Sequence, residues 1–357
     1  MTADRIEAVR QRMGEQGIDA LLVSVGSDLP YLTGYHAMPL ERITALVLPA
    51  TGQPALFVPA LEAPRVQTTV AVVSWDETDD PIGCMAGRLP ADGTIAVGSQ
   101  MWASFLIAFQ HHLPAATFVD AEPLMAPLRV TKEPAEIAAL RDAAHGVDRV
   151  ADELLGVSFS GKTEREISRT VTDMTLAAGH DAVSFALVAS GPNGASPHHE
   201  PSDRVIREGD AIVIDFGGQV RGYCSDTTRT YCVGSPPDGF EEAYSVLREA
   251  QRAAVAAVRP GVTAESIDAV ARTIIADGGY GDYVIHRLGH GIGLETHEQP
   301  YLVEGNTQVI EAGMAFSIEP GIYVPDRWGM RIEDIVVAAD GGVDRLNQSS
   351  RALRFVD

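Results

Sequence analysis

The segments GDAIVIDFG (209–217) and GMAFSIEPG (313–321) are two versions of one pattern. Each begins and ends at a glycine, contains an apolar run, and carries an acidic residue at its seventh position, Asp215 in the first and Glu319 in the second. Apolar runs of this length bounded by glycine are typical of buried β-strands. The recurrence of the pattern 104 residues later indicates that one structural unit occurs twice in the chain.

Two further pairs of segments repeat in the same order. GKTEREISRTVTDMTLAAGH (161–180) aligns with GVTAESIDAVARTIIADGGY (261–280), and in each copy a threonine precedes a helical pattern that it can cap. Between these and the strands, Gly194, His198 and Pro201 match Gly293, His297 and Pro300. We therefore expect two related halves that face each other across a pseudo-two-fold axis. Chance similarity between helices and strands of an ordinary α/β domain is the alternative interpretation.

The first third of the chain has a different organisation. Residues 1–125 alternate helix and strand, which predicts an N-terminal α/β domain. The predicted helices cover residues 4–16, 61–68 and 101–112, and the predicted strands are LLVS, ITALVLP, ALFVP, VAVVSW and TIAVGS. A segment with three prolines, Pro123, Pro127 and Pro134, follows this domain. We interpret residues 126–134 as a linker. The repeated region then forms a second domain over 135–357.

Composition excludes several classes of function. The formal net charge of −22 over 357 residues argues against nucleic acid or an anionic membrane as a partner, since both attract a basic surface. No run of 18 or more apolar residues occurs, and the N-terminal pattern predicts an amphipathic helix ended by Gly17 rather than a signal peptide. Three cysteines are too few for a disulfide framework, so we expect a cytoplasmic protein.

Each half of the repeat contains an acidic hairpin. In the first, Asp215 and Asp226 lie symmetrically about Val220–Arg221, so we expect them to be nearly opposite, with Cβ atoms about 5 Å apart. In the second, Glu319 and Glu333 flank a turn near 325–329 and would also face each other. Pseudo-symmetric packing would bring four carboxylates together. Two divalent cations, bridged by carboxylates, would balance that charge.

GHGIGLETHEQP (289–300) contributes a nitrogen ligand, His290, between the two hairpins. His286 precedes it by four residues, but no HExxH pattern is present, which excludes a zincin. Two roles for His286 remain possible from the sequence: support of the site, or packing in the core. Oxygen ligands with one imidazole favour Mn(II), with Co(II) and Zn(II) as alternatives. We interpret Cys224 and Cys232 as inert strand residues.

Four motifs carry a resemblance to a known family: DFGGxxxGYxSDxTRT, GHGIGLxxHExP, SIEPGIY and MRIED. They are similar to those of the pita-bread metallopeptidases, and within that group the chain resembles prolidase and aminopeptidase P. The resemblance covers essentially the whole chain, including a creatinase-like N-terminal domain over 1–125. Methionine aminopeptidases share the histidine motif but lack a comparable N-terminal domain. The implied fold is an α/β (α+β) protein with a C-terminal pseudo-two-fold pita-bread domain.

The resemblance also implies roles for individual residues. Asp215 would bind one metal ion, His290 and Glu319 the other, and Asp226 and Glu333 would bridge the two. A hydroxide shared by the ions would be the nucleophile, with Glu319 as the acceptor of its proton. The remaining implied site residues are His198 and His297 beside the oxyanion, Arg331 orienting ligands, and Tyr323 near the site. We interpret His199 as solvated or packing and Asp334 as structural.

The implied activity is hydrolysis of the bond before proline in peptides with proline at the second position. Some prolidases have an arginine directly after the HExP motif to hold a dipeptide's carboxylate, and here Tyr301 occupies that place. This departure favours an Xaa-Pro aminopeptidase, with an Xaa-Pro dipeptidase (prolidase) as the alternative. For a prolidase, Arg42 or Arg65 would be candidates for the missing cation.

Two more distant alternatives remain. A metal-free hydrolase of the creatinase type would lack most of the acidic ligands, and all five expected ligands are present here. A catalytically inactive binding module on the same fold is disfavoured for the same reason. The resemblance further implies a homodimer formed through the N-terminal domain.

Overall fold

The computed structural model describes residues 2–357 as two compact units that meet in sequence between Arg129 and Val130. This division falls inside the predicted linker, 126–134, although a helix occupies its first residues, up to Arg129. Among the described residues, no helix combines the length and the apolar character that crossing a membrane requires. Each unit has its own apolar core, so each is described by itself.

The N-terminal unit contains one mixed sheet with helices around it. Its helices are α1 (Thr2–Gln16), α2 (Asp28–Thr33), α3 (Pro81–Ala86), α4 (Ala103–His112) and α5 (Glu122–Arg129). Its strands are β1 (Ala20–Val23), β2 (Ala45–Pro49), β3 (Ala55–Pro59), β4 (Ala71–Trp75), β5 (Thr94–Val97) and β6 (Thr117–Asp120). The strand order is β4-β3-β2-β1-β5-β6. The continuous apolar runs of the central strands fit burial on both faces.

One predicted helix of this unit is wrong. Residues 61–68 form only a single 3₁₀ turn, Ala63–Arg65. Pro64 lies within this turn and cannot donate a backbone hydrogen bond, and Leu61 is 56% exposed, so the segment has no apolar face to bury. The five predicted strands and the other two helices are confirmed, and α1 does end before Gly17, whose φ is 67°.

The C-terminal unit is larger and contains two five-stranded sheets and one two-stranded sheet. Its helices are α6 (Pro134–Glu153), α7 (Glu164–Ala177), α8 (Phe240–Ala257) and α9 (Ala264–Asp277), with 3₁₀ turns at Leu154–Gly156, Gly191–Ala195 and Gly281–Tyr283. Its strands are β7 (Ala182–Ser190), β8 (Ala211–Val220), β9 (Tyr223–Cys224), β10 (Thr227–Val233), β11 (Gly289–Gly291), β12 (Glu298–Leu302), β13 (Ala315–Ile318), β14 (Gly321–Val324), β15 (Trp328–Arg331), β16 (Asp334–Ala339), β17 (Gly342–Arg345) and β18 (Arg354–Val356). The sheet orders are β18-β10-β8-β7, with β9 on β8, and β12-β11-β13-β16-β17, while β14 pairs with β15.

The repeat seen in the sequence is a repeat of structure. Helices α7 and α9 each have 14 residues and each follows a threonine, Thr163 or Thr263. Each threonine also forms an isolated bridge to a later segment, to Val205 in the first half and to Val309 in the second. Thr163 caps its helix as predicted and forms a capping box with Glu166, whereas Thr263 begins its helix without the predicted side-chain cap.

In each half, helices cover one face of a sheet and leave the other free for the site. Ile212 and Ile214 of β8 pack in one cluster with Ile167 of α7. Burial of each such side chain contributes roughly 1.5–3 kcal/mol. Because side chains alternate along a strand, Asp215 points to the opposite face from Ile214. In the second half, apolar residues of α9 and β13 likewise belong to one cluster, and Glu319 directly follows β13.

Candidate metal centre

The structure brings the five predicted metal ligands to the ends of neighbouring strands. Asp215 lies in β8, Asp226 immediately before β10, His290 in β11, Glu319 immediately after β13 and Glu333 immediately before β16. Ligand atoms of Asp215, Asp226 and Glu333 all lie within 4.8 Å of one another, as do those of His290, Glu319 and Glu333. Glu333 belongs to both groups, so the two sets of ligands form one cluster.

The first acidic hairpin has a different register from the predicted one. Asp215 lies opposite Thr228, not Asp226. The turn is centred on Arg221 and Gly222, which have φ values of 53° and 81°, rather than on Val220–Arg221. Two successive residues with positive φ are typical of the tight two-residue hairpin turn whose backbone matches the twist of the flanking strands. Glycine is preferred at the second of these positions. Asp226 is therefore a diagonal neighbour of Asp215 on the same face, still within ligand distance.

The second hairpin has the predicted register. Ile318 pairs with Asp334, so Glu319 and Glu333 are the next opposed pair beyond the ladder. Between them the chain continues as the separate hairpin β14–β15. The two glutamates thus leave the strand ends together, as the sequence predicts, and Glu333 donates its backbone N–H to Thr228 O of the first half at 3.1 Å.

Two features of the carboxylates suit divalent cations: they are buried, and two of their oxygens have no hydrogen-bond partner among the described residues. Burial raises the pKa of Asp226 and of Glu333 well above the ordinary values, and neighbouring carboxylates raise both further. Burial likewise raises the pKa of Asp215, although Arg331 opposes the shift. Asp215 Oδ1 and Glu333 Oε1 are buried without a hydrogen-bond partner among the described residues. Buried, unpaired oxygens that share negative charge are costly without a cation, so this donor set fits one.

His290 is held so that one ring nitrogen faces the cluster. Its Nδ1 lies 3.1 Å from Gly291 O, while Nε2 lies 3.1 Å from Glu319 Oε1 and 3.6 Å from Asp226 Oδ2. The adjacent glycines matter because they have no side chain. A Cβ on Gly289 would lie 2.0 Å from Ser317 O, and one on Gly291 would lie 2.0 Å from Gln299 O. The close approach of β11 to its neighbours requires both.

Glu319 differs from the other three carboxylates. Burial alone would raise its pKa, but the hydrogen bond with His290 and the charges of His290, His286 and Arg331 lower it to about 2. Ser317 Oγ donates to Glu319 Oε1 at 3.1 Å and accepts from His290 N–H at 3.0 Å. Glu319 is therefore ionised and fixed in position at neutral pH.

Arg331 connects the cluster to Tyr323 and His286. Its guanidinium donates to Asp215 Oδ2 at 2.6 Å, to Tyr323 Oη at 2.7 Å and to Thr228 Oγ1 at 2.9 Å. Tyr323 Oη lies 2.9 Å from His286 Nε2. Burial raises the pKa of Tyr323 to about 12, so its hydroxyl keeps its proton. His286 therefore supports the site through Tyr323, which decides between its two predicted roles.

A cavity of about 560 Å³ opens beside the cluster, and both predicted oxyanion histidines line it. The rings of His290 and His297 meet edge to face with centroids 4.0 Å apart. Burial, and next the charge of His290, lower the pKa of His297 to about 4, so its imidazole is neutral at neutral pH. Phe185 and Leu187 supply apolar lining. The cavity thus combines the neutral imidazole of His297, an apolar wall and the carboxylate cluster.

His199 has a specific partner that the sequence does not reveal. Its Nε2 lies 3.0 Å from Glu164 Oε2. Glu164 is fully buried and also accepts hydrogen bonds from Ser190 and Ser202, at either end of the segment that carries His198. The predicted solvated or packing role of His199 is therefore replaced by a bonded one. Together these contacts hold the segment from 190 to 202, and with it His198, at the cavity wall.

Replacing Glu164 by glutamine is expected to destabilise the C-terminal unit by about 2–3 kcal/mol at neutral pH. Hydrogen bonds from Ser202 and Ser190 outweigh burial and lower the pKa of Glu164 from 4.5 to about 2. Because the folded pKa lies below the unfolded one, ionised Glu164 stabilises the fold above 4.5, and this contribution disappears as the pH falls towards 2. The difference between the two proteins should therefore shrink on acidification.

Trp328 fluorescence measures this effect, since Trp328 is the tryptophan of the C-terminal unit and Trp75 and Trp102 can be replaced by phenylalanine. Urea unfolding would be followed at several pH values from about 7 down to about 3. Glu153→Gln, at an exposed position that ends α6, is the matched control. A destabilisation that does not change with pH would show that the charge of Glu164 is not the stabilising feature.

Two other interpretations from the sequence agree with the structure. Burial raises the pKa of Cys224 to about 11 and that of Cys232 to about 12, so both thiols stay protonated. Asp334 is fully buried and binds Arg229 at 2.8 Å and Gln251 at 2.8 Å. Arg229 also donates to Glu333 O at 2.6 Å, so this structural pair fixes the backbone of a predicted metal ligand.

Comparison with known proteins identifies the family. The model for metallopeptidase family M24 matches residues 138–340, and that for the creatinase/prolidase N-terminal domain matches residues 5–131. The chain is 44% identical over 367 aligned positions to the probable dipeptidase PepE of Mycobacterium tuberculosis, covering 99% of this chain and 96% of that protein. The chain belongs to metallopeptidase family M24. Its predicted resemblance, its hydrolase class and its two-part fold are confirmed.

Two further proteins are similar to this chain along nearly their whole length. The Xaa-Pro dipeptidase of Lactobacillus delbrueckii is 35% identical, with 98% of each chain covered. The crystal structure of a prolidase from Thermococcus sibiricus superposes with a TM-score of 0.96 at 37% identity, covering 100% of this chain and 99% of that one. The pita-bread fold is thereby established for the C-terminal unit, and membership of the family implies divalent metal ions.

Proposed function

We propose that this metallopeptidase is an Xaa-Pro dipeptidase, which hydrolyses dipeptides with proline at the second position. One observation carries the proposal: four carboxylates and His290 converge beside a cavity whose wall holds His198 and His297. Carboxylates that are shared between two ions are the usual arrangement of dinuclear hydrolases. The substrate class rests on relatives named Xaa-Pro dipeptidase and prolidase that match the chain from end to end.

In the proposed site, Asp215 would hold one ion, His290 and Glu319 would hold the other, and Asp226 and Glu333 would contribute ligand atoms to both. When bound, the two ions supply an activated water nucleophile and polarise the scissile carbonyl. Ionised Glu319 accepts the proton of the attacking water and delivers it to the departing proline nitrogen.

The residues around the cluster prepare the site for this reaction. His198 and His297 donate hydrogen bonds to the oxygen on which negative charge develops, and a neutral imidazole can do so through one N–H. Arg331 fixes Asp215 and Tyr323 by direct hydrogen bonds. The apolar side chains of Phe185 and Leu187 suit a proline ring and exclude water from it.

An Xaa-Pro aminopeptidase that acts on longer peptides is the second candidate. Tyr301 stands where some prolidases carry a carboxylate-binding arginine, and this departure in the sequence favours the aminopeptidase. The dipeptidase is the better-supported proposal because relatives that are 44% and 35% identical over nearly the full chain are named dipeptidases.

Three finer proposals accompany this function. We propose Mn(II) as the native metal, since the donor set is mainly carboxylate oxygen with one imidazole. We propose a homodimer, from the resemblance to the dimeric pita-bread peptidases. We propose a cytoplasmic location, in keeping with free Cys84, Cys224 and Cys232.

Hydrolysis by metal-stripped protein, before and after addition of Mn(II), tests the proposal. We expect no cleavage without metal and, with metal, cleavage of Ala-Pro at least about tenfold faster than of Ala-Pro-Ala or Ala-Ala. Faster cleavage of the tripeptide would replace the dipeptidase by the aminopeptidase. Failure to cleave either proline substrate, with metal shown to be bound, would overturn the Xaa-Pro assignment.

A further inference from the structure

The cavity beside the metal centre is lined by an arginine, Arg287, that forms no ion pair with any of the described residues. Arg287 and Arg331 are the two arginine or lysine side chains that line it within the described part of the chain. Arg331 is occupied by Asp215, Tyr323 and Thr228. Arg287 is half-buried, and no carboxylate of the described residues forms an ion pair with it. A positive charge in a partly desolvated cavity without such a partner suits an anionic ligand.

Arg287 lies over the aromatic ring of Tyr301. The guanidinium carbon lies 4.3 Å from the centroid of the Tyr301 ring. Stacking of this kind occupies the face of the guanidinium and leaves its N–H edge free for a carboxylate. Tyr301 lies opposite His290 in the pairing of β12 with β11. The aromatic platform is therefore attached to the strand that carries a predicted metal ligand.

The backbone around Arg287 is also anchored. Arg272 donates to His286 O at 2.8 Å, and Leu288 donates its backbone N–H to Asp268 Oδ1 at 3.0 Å. Both partners belong to α9. The residue before and the residue after Arg287 are thus tied to one helix, so its side chain projects from a rigid segment rather than from a mobile loop.

The arginines that the sequence suggests for carboxylate binding are engaged elsewhere. In the N-terminal unit, Arg42 lies 2.5 Å from Glu77, and Arg65 lies 3.0 Å from Glu62. Arg42 and Arg65 would have to break these ion pairs to bind a carboxylate, whereas Arg287 forms no ion pair with the described residues. Arg287 and His297 line the same cavity. The arginine and the proposed oxyanion histidine therefore act in the same space.

We propose that Arg287, stacked on Tyr301, binds the C-terminal carboxylate of the substrate and thereby restricts the enzyme to dipeptides. The inference rests on the proposed Xaa-Pro activity and names the residue that sets its substrate length. In a dipeptide the carboxylate belongs to the proline itself, one residue from the scissile bond. In a longer peptide an uncharged amide takes its place, and the guanidinium loses a charge-assisted, bidentate hydrogen bond. Tyr301 is then part of the carboxylate site rather than a sign that the site is missing.

Kinetics of Arg287→Met with Ala-Pro and with Ala-Pro-amide test the inference, because the amide differs from the dipeptide only in lacking the carboxylate. We expect the variant to raise KM for Ala-Pro about 30-fold or more, with little change in kcat and little change in KM for the amide. Arg287→Lys keeps the charge without the planar fork and should give an intermediate KM. Arg248→Met, at an exposed position on α8, is the matched control and should behave as wild type.

The outcomes separate the inference from the function. Wild-type protein that cleaves Ala-Pro, together with an Arg287→Met variant that keeps the wild-type preference for Ala-Pro over its amide, would overturn the role of Arg287 alone. Equal increases in KM for both substrates would do the same, since they would indicate a general structural effect. Metal-loaded wild-type protein that cleaves neither substrate would overturn the proposed function itself. Should Arg287→Met fail to fold, the lysine variant provides the same comparison of Ala-Pro with its amide.

Discussion

Replacement of Asp226 by asparagine is expected to lower kcat/KM for Ala-Pro about a thousandfold or more, which corresponds to roughly 4 kcal/mol of lost transition-state stabilisation. Asp226 is 4% exposed, and its carboxylate lies within ligand distance of Asp215 and Glu333 on one side and of His290 on the other. Asparagine keeps the shape but removes one negative charge and one ligand oxygen. Both proposed ions would then be held less tightly, and metal content after dialysis should fall below that of the wild type.

Stability gives a second readout that does not depend on activity. Without metal, Asp226 and its neighbours crowd negative charge in a buried place, so metal-free Asp226→Asn should melt at a higher temperature than metal-free wild type. Added Mn(II) should stabilise the wild type strongly and the variant weakly, because a ligand stabilises in proportion to its affinity for the folded state.

Asp277→Asn, at an exposed position at the end of α9, is the control for loss of one acidic residue. It should bind metal and cleave Ala-Pro as the wild type does. An Asp226→Asn variant with wild-type metal content and wild-type stabilisation by Mn(II) would contradict the assignment of Asp226 as a ligand between the two ions.

Internal repetition made most of the C-terminal fold predictable. Thr163 and Thr263 mark equivalent helix starts, and Asp215 and Glu319 occupy equivalent strand positions. Such signals are local, since capping and strand alternation depend on residues only a few positions apart. The same local rules explain the error in register at Asp215. The turn depends on which two residues adopt positive φ, and the pair Arg221–Gly222 is as compatible with the hairpin pattern as the pair before it.

The supporting contacts of the site were not predictable, because they join residues that are distant in sequence. Glu164 meets His199 across 35 residues, and Lys132 meets Glu298 across 166. Nothing in the pattern around a single buried charge identifies its partner, which depends on the packing of the whole unit. Arg287 shows the same limit: its position beside His286 is evident from the sequence, but its contact with Tyr301 is a product of how β11 and β12 pair.

Replacement of Lys132 by methionine is expected to destabilise the C-terminal unit by about 3–5 kcal/mol. Lys132 Nζ lies 2.5 Å from Glu298 Oε1 and 3.2 Å from Val130 O, and the side chains of Lys132 and Glu298 are 1% and 8% exposed. Loss of the ammonium would remove the positive charge that lies beside the buried Glu298 carboxylate. Glu298 directly follows His297 and begins β12. The destabilisation would therefore extend to the part of the cavity wall that His297 forms.

A double variant separates the buried charge from simple loss of packing. If loss of the positive charge beside the carboxylate is the cause, Lys132→Met with Glu298→Gln should recover at least about half of the lost free energy of unfolding, since the pair then carries no charge. Urea unfolding followed by Trp328 fluorescence, in the background without Trp75 and Trp102, measures both variants in the same unit. A double variant no more stable than the single one would mean that Lys132 acts through the packing of its carbon chain. A recovery would instead identify Lys132, a residue of the predicted linker, as the charge that keeps the segment bearing His297 in place.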